Sequence, residues 1–521
     1  MSSEHELGGA VRARLASGFL LIRNALIFIG AQGAIAVMGL LAVPILVDRL
    51  GTARFGVLAL AWAVIGYASL LDLGLGRALT KVTADRLGAG RPQEIPKLFW
   101  TAVAMLATIG VLVGGIVVAL SGTLTNNVLG IPDGLVEEAQ MTFVLLGCTV
   151  PFVLLSTALS GNLEAHQRFD LTNGVAVPLS FLSYFGPVAI ALFTTNLALV
   201  VSAVCLSRVS ATAIYLYLCT RVDPLLVEER RADRAVVGSL LGYGGWVALS
   251  SVVIGAMLTI DRFLIGTVLT ATAVAFYATP YEASKQMLVI ATAFANVLFP
   301  GFAANVKRDR IRTEALCSRG ARATFVGLFP LALFTSVLSY EILDVWISES
   351  FAEQGGPVLQ ILAAGALING LGFIAFALIQ SVRPDIITKI AAVELVSYLG
   401  ALWLLLQADG IEGAALAFSI RALADTAVLY GFARRMDLVG TPLLFEVARL
   451  AAAGVLLLAL GALIPETPLR IAYVVVVVAA FLPIAWRYIL SNQERGRVQE
   501  RLGQMRKTSR PRSKRSAPDA V

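Results

Sequence analysis

The sequence is poor in the residues that do chemistry. It has two histidines, His5 and His166, and four cysteines, Cys148, Cys205, Cys219 and Cys317. Two isolated histidines, with no cysteine or carboxylate cluster at ligand spacing, exclude a zinc site and a histidine-based triad. The cysteines are scattered through apolar runs and segments read as cytoplasmic, so no disulfide framework is expected. There is no C-x-x-C and no Walker loop, which argues against ATP hydrolysis within the chain. Charge is scarce as well: Asp, Glu, Lys and Arg make up 14% of the residues, against roughly 25% in a soluble domain.

What fills the chain instead is apolar. Hydrophobic residues make up 58%, and the mean hydropathy is +0.81. The apolar runs are mostly about 20 residues long, enough to cross roughly 30 Å of hydrocarbon as a helix. Fourteen such spans can be read, near 17–47, 55–76, 98–120, 140–162, 174–194, 196–219, 238–265, 272–301, 323–347, 357–380, 386–407, 412–432, 444–463 and 469–490. Helices are expected throughout, because an open strand would leave backbone groups unpaired in lipid. The alternating pattern of a β-barrel is absent. The expected fold class is therefore an all-α polytopic membrane protein with fourteen transmembrane helices. The first span is too long for a cleaved signal peptide and is read as retained.

The short loops carry an orientation signal. Ser121–Ala139, Thr194–Asn196, Ser348–Gly356 and Ala408–Ile411 contain no Lys or Arg. The alternate loops are rich in them: Arg77, Lys81, Arg86, Arg91 and Lys97; then Arg221, Arg230, Arg231 and Arg234; then Lys307, Arg308, Arg310, Arg312, Arg319 and Arg322. Both termini are expected in the cytoplasm, and a missed span would invert the alternation. The tail from 491 onward is basic and rich in Ser and Pro, a composition that points to disorder. Its expected partner is the anionic lipid headgroup region, at about 1 kcal/mol per basic residue near the surface. Nucleic acid is not expected, since no aromatic platform accompanies the charges.

The sequence also repeats itself weakly. Asp48-Arg49 in "ILVDRLG" recurs 213 positions on as Asp261-Arg262 in "LTIDRFLIG", and Arg208 and Tyr217 recur at the same offset as Arg421 and Tyr430. Charged matches inside apolar context are harder to dismiss than matches of Ala or Leu. They set spans one to six against seven to twelve. Six is even, so the halves keep the same orientation and are expected to form two six-helix lobes related by a pseudo-two-fold axis along the membrane normal. The implied boundaries are a cytoplasmic segment 1–16, an N-lobe 17–220, a linker 221–237, a C-lobe 238–433, two extra C-terminal helices within 434–490, and a basic tail 491–521. Two parallel lobes imply a cavity between them and alternating access by rocking.

Polar residues inside spans are costly and face a cavity or a partner. The sharpest group is Asp261, Arg262, Glu282 and Lys285. Glu282 and Lys285 are three apart and share a helix face, and Pro280 before them is expected to bend the helix. Such a face reads as a cavity wall; an ion pair that only fixes packing is the alternative. Asp48-Arg49 and Arg54 lie at the outward ends of spans one and two, where an interfacial turn would also explain them. Arg23 interrupts the first span and either snorkels to the interface or meets an anion. Asp72 is expected to cap a span end or pair with Arg77, and Arg421 to pair with Asp425 one turn on. Glu394 has no local partner. Gly110-x-x-x-Gly114 would permit close helix packing.

With these segments laid out, the chain resembles the Wzx-type polysaccharide flippases of the multidrug/oligosaccharidyl-lipid/polysaccharide exporter superfamily. The resemblance is carried by "VPILVDRLGTARFGVLAL", "LLDLGLGRALTK", "GNLEAHQRFDLTN", "YGGWVALSSVV…TIDRFLIG" and "VAFYATPYEASKQ…NVLFPGFA", and covers roughly Ala16 to Arg434. It implies a flippase moving an undecaprenyl-pyrophosphate-linked oligosaccharide from the inner to the outer leaflet of the bacterial plasma membrane, with no cofactor. It further implies a surface or exopolysaccharide pathway, with a polysaccharide polymerase and export complex as partners. On that reading Arg23, Arg49, Arg262 and Lys285 are the cations for the sugar-pyrophosphate head. Asp261 and Glu282 are then candidates for coupling to protons or Na⁺. Three alternatives stand beside it: a lipid II flippase, a drug/cation antiporter, and a membrane glycan polymerase or ligase. The last is an enzyme class that needs a large external loop with catalytic groups. The longest external loop here, Ser121–Ala139, has neither Arg nor His.

Overall fold

The computed structural model describes residues 37–485 apart from 69–70, 73, 234–235, 239–252, 254, 258 and 307–308. Arg23 and the basic tail lie outside these residues. Everything regular among them is helical, as the need to pair backbone groups within each segment demands. Among the described residues nine helices are long and apolar enough to cross a membrane. In order, the helices are α1 (Val37–Ala68), α2 (Leu75–Gly88), α3 (Ile95–Thr123), α4 (Val136–Ala165), α5 (Phe169–Ala191), α6 (Leu197–Val222) and the short α7 (Leu225–Glu228). There follow α8 (259–268), α9 (Ala271–Asn305), α10 (Arg310–Val337), α11 (Ser339–Trp346), α12 (Glu349–Gln380), α13 (Pro384–Arg435), α14 (Thr441–Ala462) and α15 (Thr467–Ile484).

Two of these runs are interrupted. A straight helix with the 52 residues of α13 would be about 78 Å long, more than twice the hydrocarbon thickness. The run breaks at Asp409 and Gly410, where φ is −127° and +56°. It folds back tightly there: a Cβ on Gly413 would sit 1.9 Å from the Leu405 carbonyl oxygen. In α1 the break is Gly51, with φ +76°, a backbone region open to glycine at little cost. The break falls in the turn expected between 47 and 55.

Other boundaries differ from the sequence reading. The second span ends at Ala68 rather than 76, and α2 is a separate helix. The Asp72 carboxylate accepts from Gly74 N at 2.9 Å and Gly76 N at 3.3 Å, satisfying amides that α2 itself leaves unpaired. The apolar run read as 323–347 is two helices, α10 and α11, parted at Leu338. Asn196, Thr270, Asp309 and Ser348 cap α6, α9, α10 and α12 through their side chains. Helix α9 continues through Pro280, and the Ser284 hydroxyl donates to the Pro280 carbonyl at 2.8 Å.

Small residues set the close contacts. A Cβ on Gly114 would lie 2.2 Å from the Gly147 carbonyl oxygen, and one on Gly110 2.6 Å from Pro151 Cα. The Gly110-x-x-x-Gly114 stripe thus lets α3 pack on α4 backbone to backbone. The two halves share a way of joining helices. Thr212 Oγ1 and Cys219 Sγ on α6 donate to the Phe152 and Leu159 carbonyls of α4. Ser419 Oγ and Thr426 Oγ1 on α13 donate to Ile361 and Ile368 of α12. Helices α14 and α15 pack on α10: Phe481 meets Phe325 and Phe329 at 5.9 and 4.7 Å, and Glu446 binds Arg322 and Ser318. Leu206, Val393, Val396 and Val475 are more than 60% exposed, which only a lipid surround makes favourable.

The N- and C-terminal halves meet at the end that holds the loops poor in Lys and Arg. Gly130 N donates to Gly266 O at 2.8 Å, and Ala271 N to Gly130 O at 3.1 Å. Gly56 lies against the Ala271 carbonyl, with room for no side chain. Trp346 Nε1 donates to the Leu40 carbonyl. Arg54 makes two hydrogen bonds to Glu138, at 2.9 and 3.0 Å, and Glu138 also accepts from Leu197 N. Arg54 is therefore fixed by a bidentate pair within the N-terminal half.

Candidate functional site

The four residues singled out on α8 and α9 come together. Arg262, only 7% exposed, sends Nη2 to Glu282 Oε1 at 2.5 Å, and Lys285 Nζ reaches Glu282 at 3.1 and 3.3 Å. Glu282 is thus shared by two cations. It cannot be the closed pair with Lys285 that the spacing alone allowed. Asp261 is 1% exposed and accepts from Tyr277 OH at 2.9 Å and from Arg262 N at 2.8 Å. The Arg262 guanidinium also lies 5.2 Å from the Tyr281 ring centre, a cation–π distance.

Exposure separates their roles. The Arg262 side chain is 8% exposed, whereas Glu282 and Lys285 are 41% and 49% exposed. Arg262 and Asp261 are enclosed by their partners. Glu282 and Lys285 are accessible, and Lys285 lines a cavity. Arg49 lies apart from this group, at the Gly51 turn, half-exposed and 3.9 Å from Asp48.

Lys285 lines a cavity of about 290 Å³ inside the C-terminal half, walled by α9, α12 and both arms of α13. Its other polar linings are Ser284, Asn369, Glu394, Arg421 and Asp425. The sequence reading did not join this second group to the first. Glu394 and Arg421 pair at 3.2 Å, so Arg421 reaches across to the other arm of α13 and leaves Asp425 without that partner. Arg421 also lies 5.1 Å from the Phe418 ring and 5.5 Å from that of Tyr398. The signal for this group was present in the sequence: Arg421 matches Arg208 at an offset of 213, and Glu394 is a carboxylate with no local partner. At about 290 Å³ the cavity sits at the bottom of the range for ligand pockets. It is a side chamber too small for an oligosaccharide. Among the described residues no cluster of His, Cys, Asp or Glu could hold a metal ion.

The family described as "Polysaccharide biosynthesis protein" matches residues 45–355. A Shigella flexneri protein named "Putative O-antigen transporter" is 26% identical over 408 residues, which is 77% of this chain and 95% of the relative. Among solved structures, the lipid II flippase MurJ in an inward closed conformation superposes with a TM-score of 0.70 at 12% identity, over 90% of this chain and 99% of that one. An inward-facing multidrug resistance MATE family transporter of the MOP superfamily gives a TM-score of 0.65 at 16% identity, over 78% and 98%. At such identities these two structures speak for the fold alone. The family match, which spans more than half of the chain, establishes that the chain belongs to the polysaccharide biosynthesis protein family.

Proposed function

We propose that this protein is a flippase that carries a lipid-linked oligosaccharide, joined through pyrophosphate to an undecaprenyl chain, across the bacterial plasma membrane. The observation that carries the reading is the Arg262–Glu282–Lys285 network, set in helices that are otherwise apolar. Ionisable groups held at membrane depth serve a polar cargo or an ion path. The O-antigen transporter relative supports the same cargo class. Lys285, aided by Arg23 and Arg49 nearer the two interfaces, meets the anionic head. Arg262 holds Glu282 in place, and Glu282 is the better coupling candidate because it is accessible, at 41% exposed, where Asp261 is 1% exposed.

The finer architecture belongs to the same proposal. Counting both arms of α1 and of α13 among the nine apolar helices, and adding α8, α9 and α15, gives fourteen spans, as two six-helix lobes plus α14 and α15. The matched carbonyl bonds of α6 to α4 and of α13 to α12 support the duplication. Both termini face the cytoplasm, the tail lies on anionic lipid, and a polymerase and export complex act downstream. A cysteine at Asp133 should react with an impermeant maleimide in intact cells, and one at Arg231 should not. Labelling of Arg231→Cys would overturn the orientation.

The cargo is tested in a deletion strain. Extracted lipids should show an undecaprenyl-pyrophosphate glycan accumulated on the inner leaflet. Accumulation of the peptidoglycan precursor instead would make the protein a lipid II flippase, and unchanged lipid pools would overturn the flippase reading.

A further inference from the structure

Arg208 stands in the middle of α6, and its neighbours at helical spacing are all buried: Val204, Cys205, Ala211, Thr212 and Tyr215. Leu199, Leu206, Ile214 and Tyr217 form the exposed face of the same helix. Arg208 therefore points into the protein and not into lipid. Its Nε is sealed from solvent without a hydrogen-bond partner, and none of the ion pairs or side-chain hydrogen bonds of the described residues involves its guanidinium. Among the described residues, the titratable groups near it are Tyr215, Tyr184 and Cys205, with no carboxylate among them. The apolar stretches 17–36 and 239–252 contain no Asp or Glu. Arg421, matched to it in sequence at an offset of 213, is also largely buried and is neutralised by Glu394. A guanidinium withdrawn from water and left uncompensated is unfavourable, and it fits a site whose counter-charge arrives with a ligand. Tyr184, packed on Trp62 at 5.4 Å, lies in the field of Arg208 on one side and of Arg262 and Glu282 on the other.

We infer that Arg208 is an anion subsite of the N-terminal half, taking an oxyanion of the cargo: a phosphate of the pyrophosphate linker or the carboxylate of an acidic sugar. This rests on the flippase reading. Guanidinium geometry suits either oxyanion, as a fork of N–H donors onto two oxygens. The halves then divide the work, one offering an uncompensated cation and the other a network already balanced by Glu282 and Glu394.

The test uses the full-length protein in nanodiscs, with farnesyl diphosphate and a glucuronate-containing trisaccharide as separate probes. Arg208→Gln should weaken one of them about tenfold or more, and Arg208→Lys should keep part of the affinity. Loss confined to the diphosphate assigns the linker, and loss confined to the trisaccharide assigns the sugar acid. Thermal melting of the unliganded protein separates binding from packing. Arg208→Gln should melt no lower than wild type, while Arg421→Gln, which strands Glu394, should melt lower. Wild-type affinity of Arg208→Gln for both probes, or a melting loss as large as that of Arg421→Gln, overturns the subsite alone. A wild-type protein that binds neither probe overturns the flippase reading with it.

Discussion

Replacing Lys285 with alanine is expected to reduce translocation about tenfold or more, an effect of roughly 1.4–2 kcal/mol in a partly desolvated cavity, while leaving the protein inserted and folded. The reason lies in who shares Glu282. Without Lys285, Glu282 keeps Arg262 at 2.5 Å, so no buried charge is stranded. Lys285→Arg should retain part of the activity, and Lys285→Glu should have none. Glu282→Ala should behave differently. It removes the counter-charge of the buried Arg262, and breaking a buried pair costs about 3–5 kcal/mol, so the protein level itself should fall. The double replacement Glu282→Lys/Lys285→Glu would restore a simple two-residue pair. Here it sets a new ammonium beside Arg262, and transport should stay lost. Surface glycan assayed in cells, with immunoblots of membrane fractions, reads all five variants. Normal glycan from Lys285→Ala or from the swapped double variant would sink the cargo-binding role.

Gly56→Ala should disable transport by another route. A methyl group at this position would lie 1.8 Å from the Ala271 carbonyl oxygen. That oxygen is backbone at the start of α9, so no side chain can swing aside. The arrangement in which the halves meet there, with Gly130 bonded to Gly266 and Ala271, is then disfavoured. An overpacked contact costs about 1–3 kcal/mol, enough to shift a two-state equilibrium about 5–150-fold. Alternating access needs both closed states, so transport should fall by a comparable factor. Impermeant maleimide should label Thr267→Cys faster in the Gly56→Ala background. Gly115→Ala, which meets nothing within 4 Å, is the silent control. Unchanged labelling and unchanged transport in Gly56→Ala would show that this contact does not gate anything.

The chain order of the helices and the residues worth inspecting were legible in the sequence, because both follow from local physics. A run of about 20 apolar residues must be a helix in lipid, and an ionisable residue inside such a run stands out against its neighbours. The turns at Gly51 and Gly410, the Glu282–Lys285 face and the close packing of Gly110 and Gly114 can be read at that level. What the sequence could not decide was partnership. Arg262 takes Glu282 from twenty residues away, Arg421 takes Glu394 in preference to Asp425 one turn on, and Arg208 has no carboxylate partner among the described residues. An ion pair forms where two side chains are brought within about 4 Å, and that depends on how helices cross and how deeply each one lies. Sequence spacing fixes neither. The arginines at 208 and 421, matched at an offset of 213, look equivalent as letters. Packing makes one a neutralised wall residue and leaves the other a cation without a counter-charge, and that difference exists only in the tertiary structure.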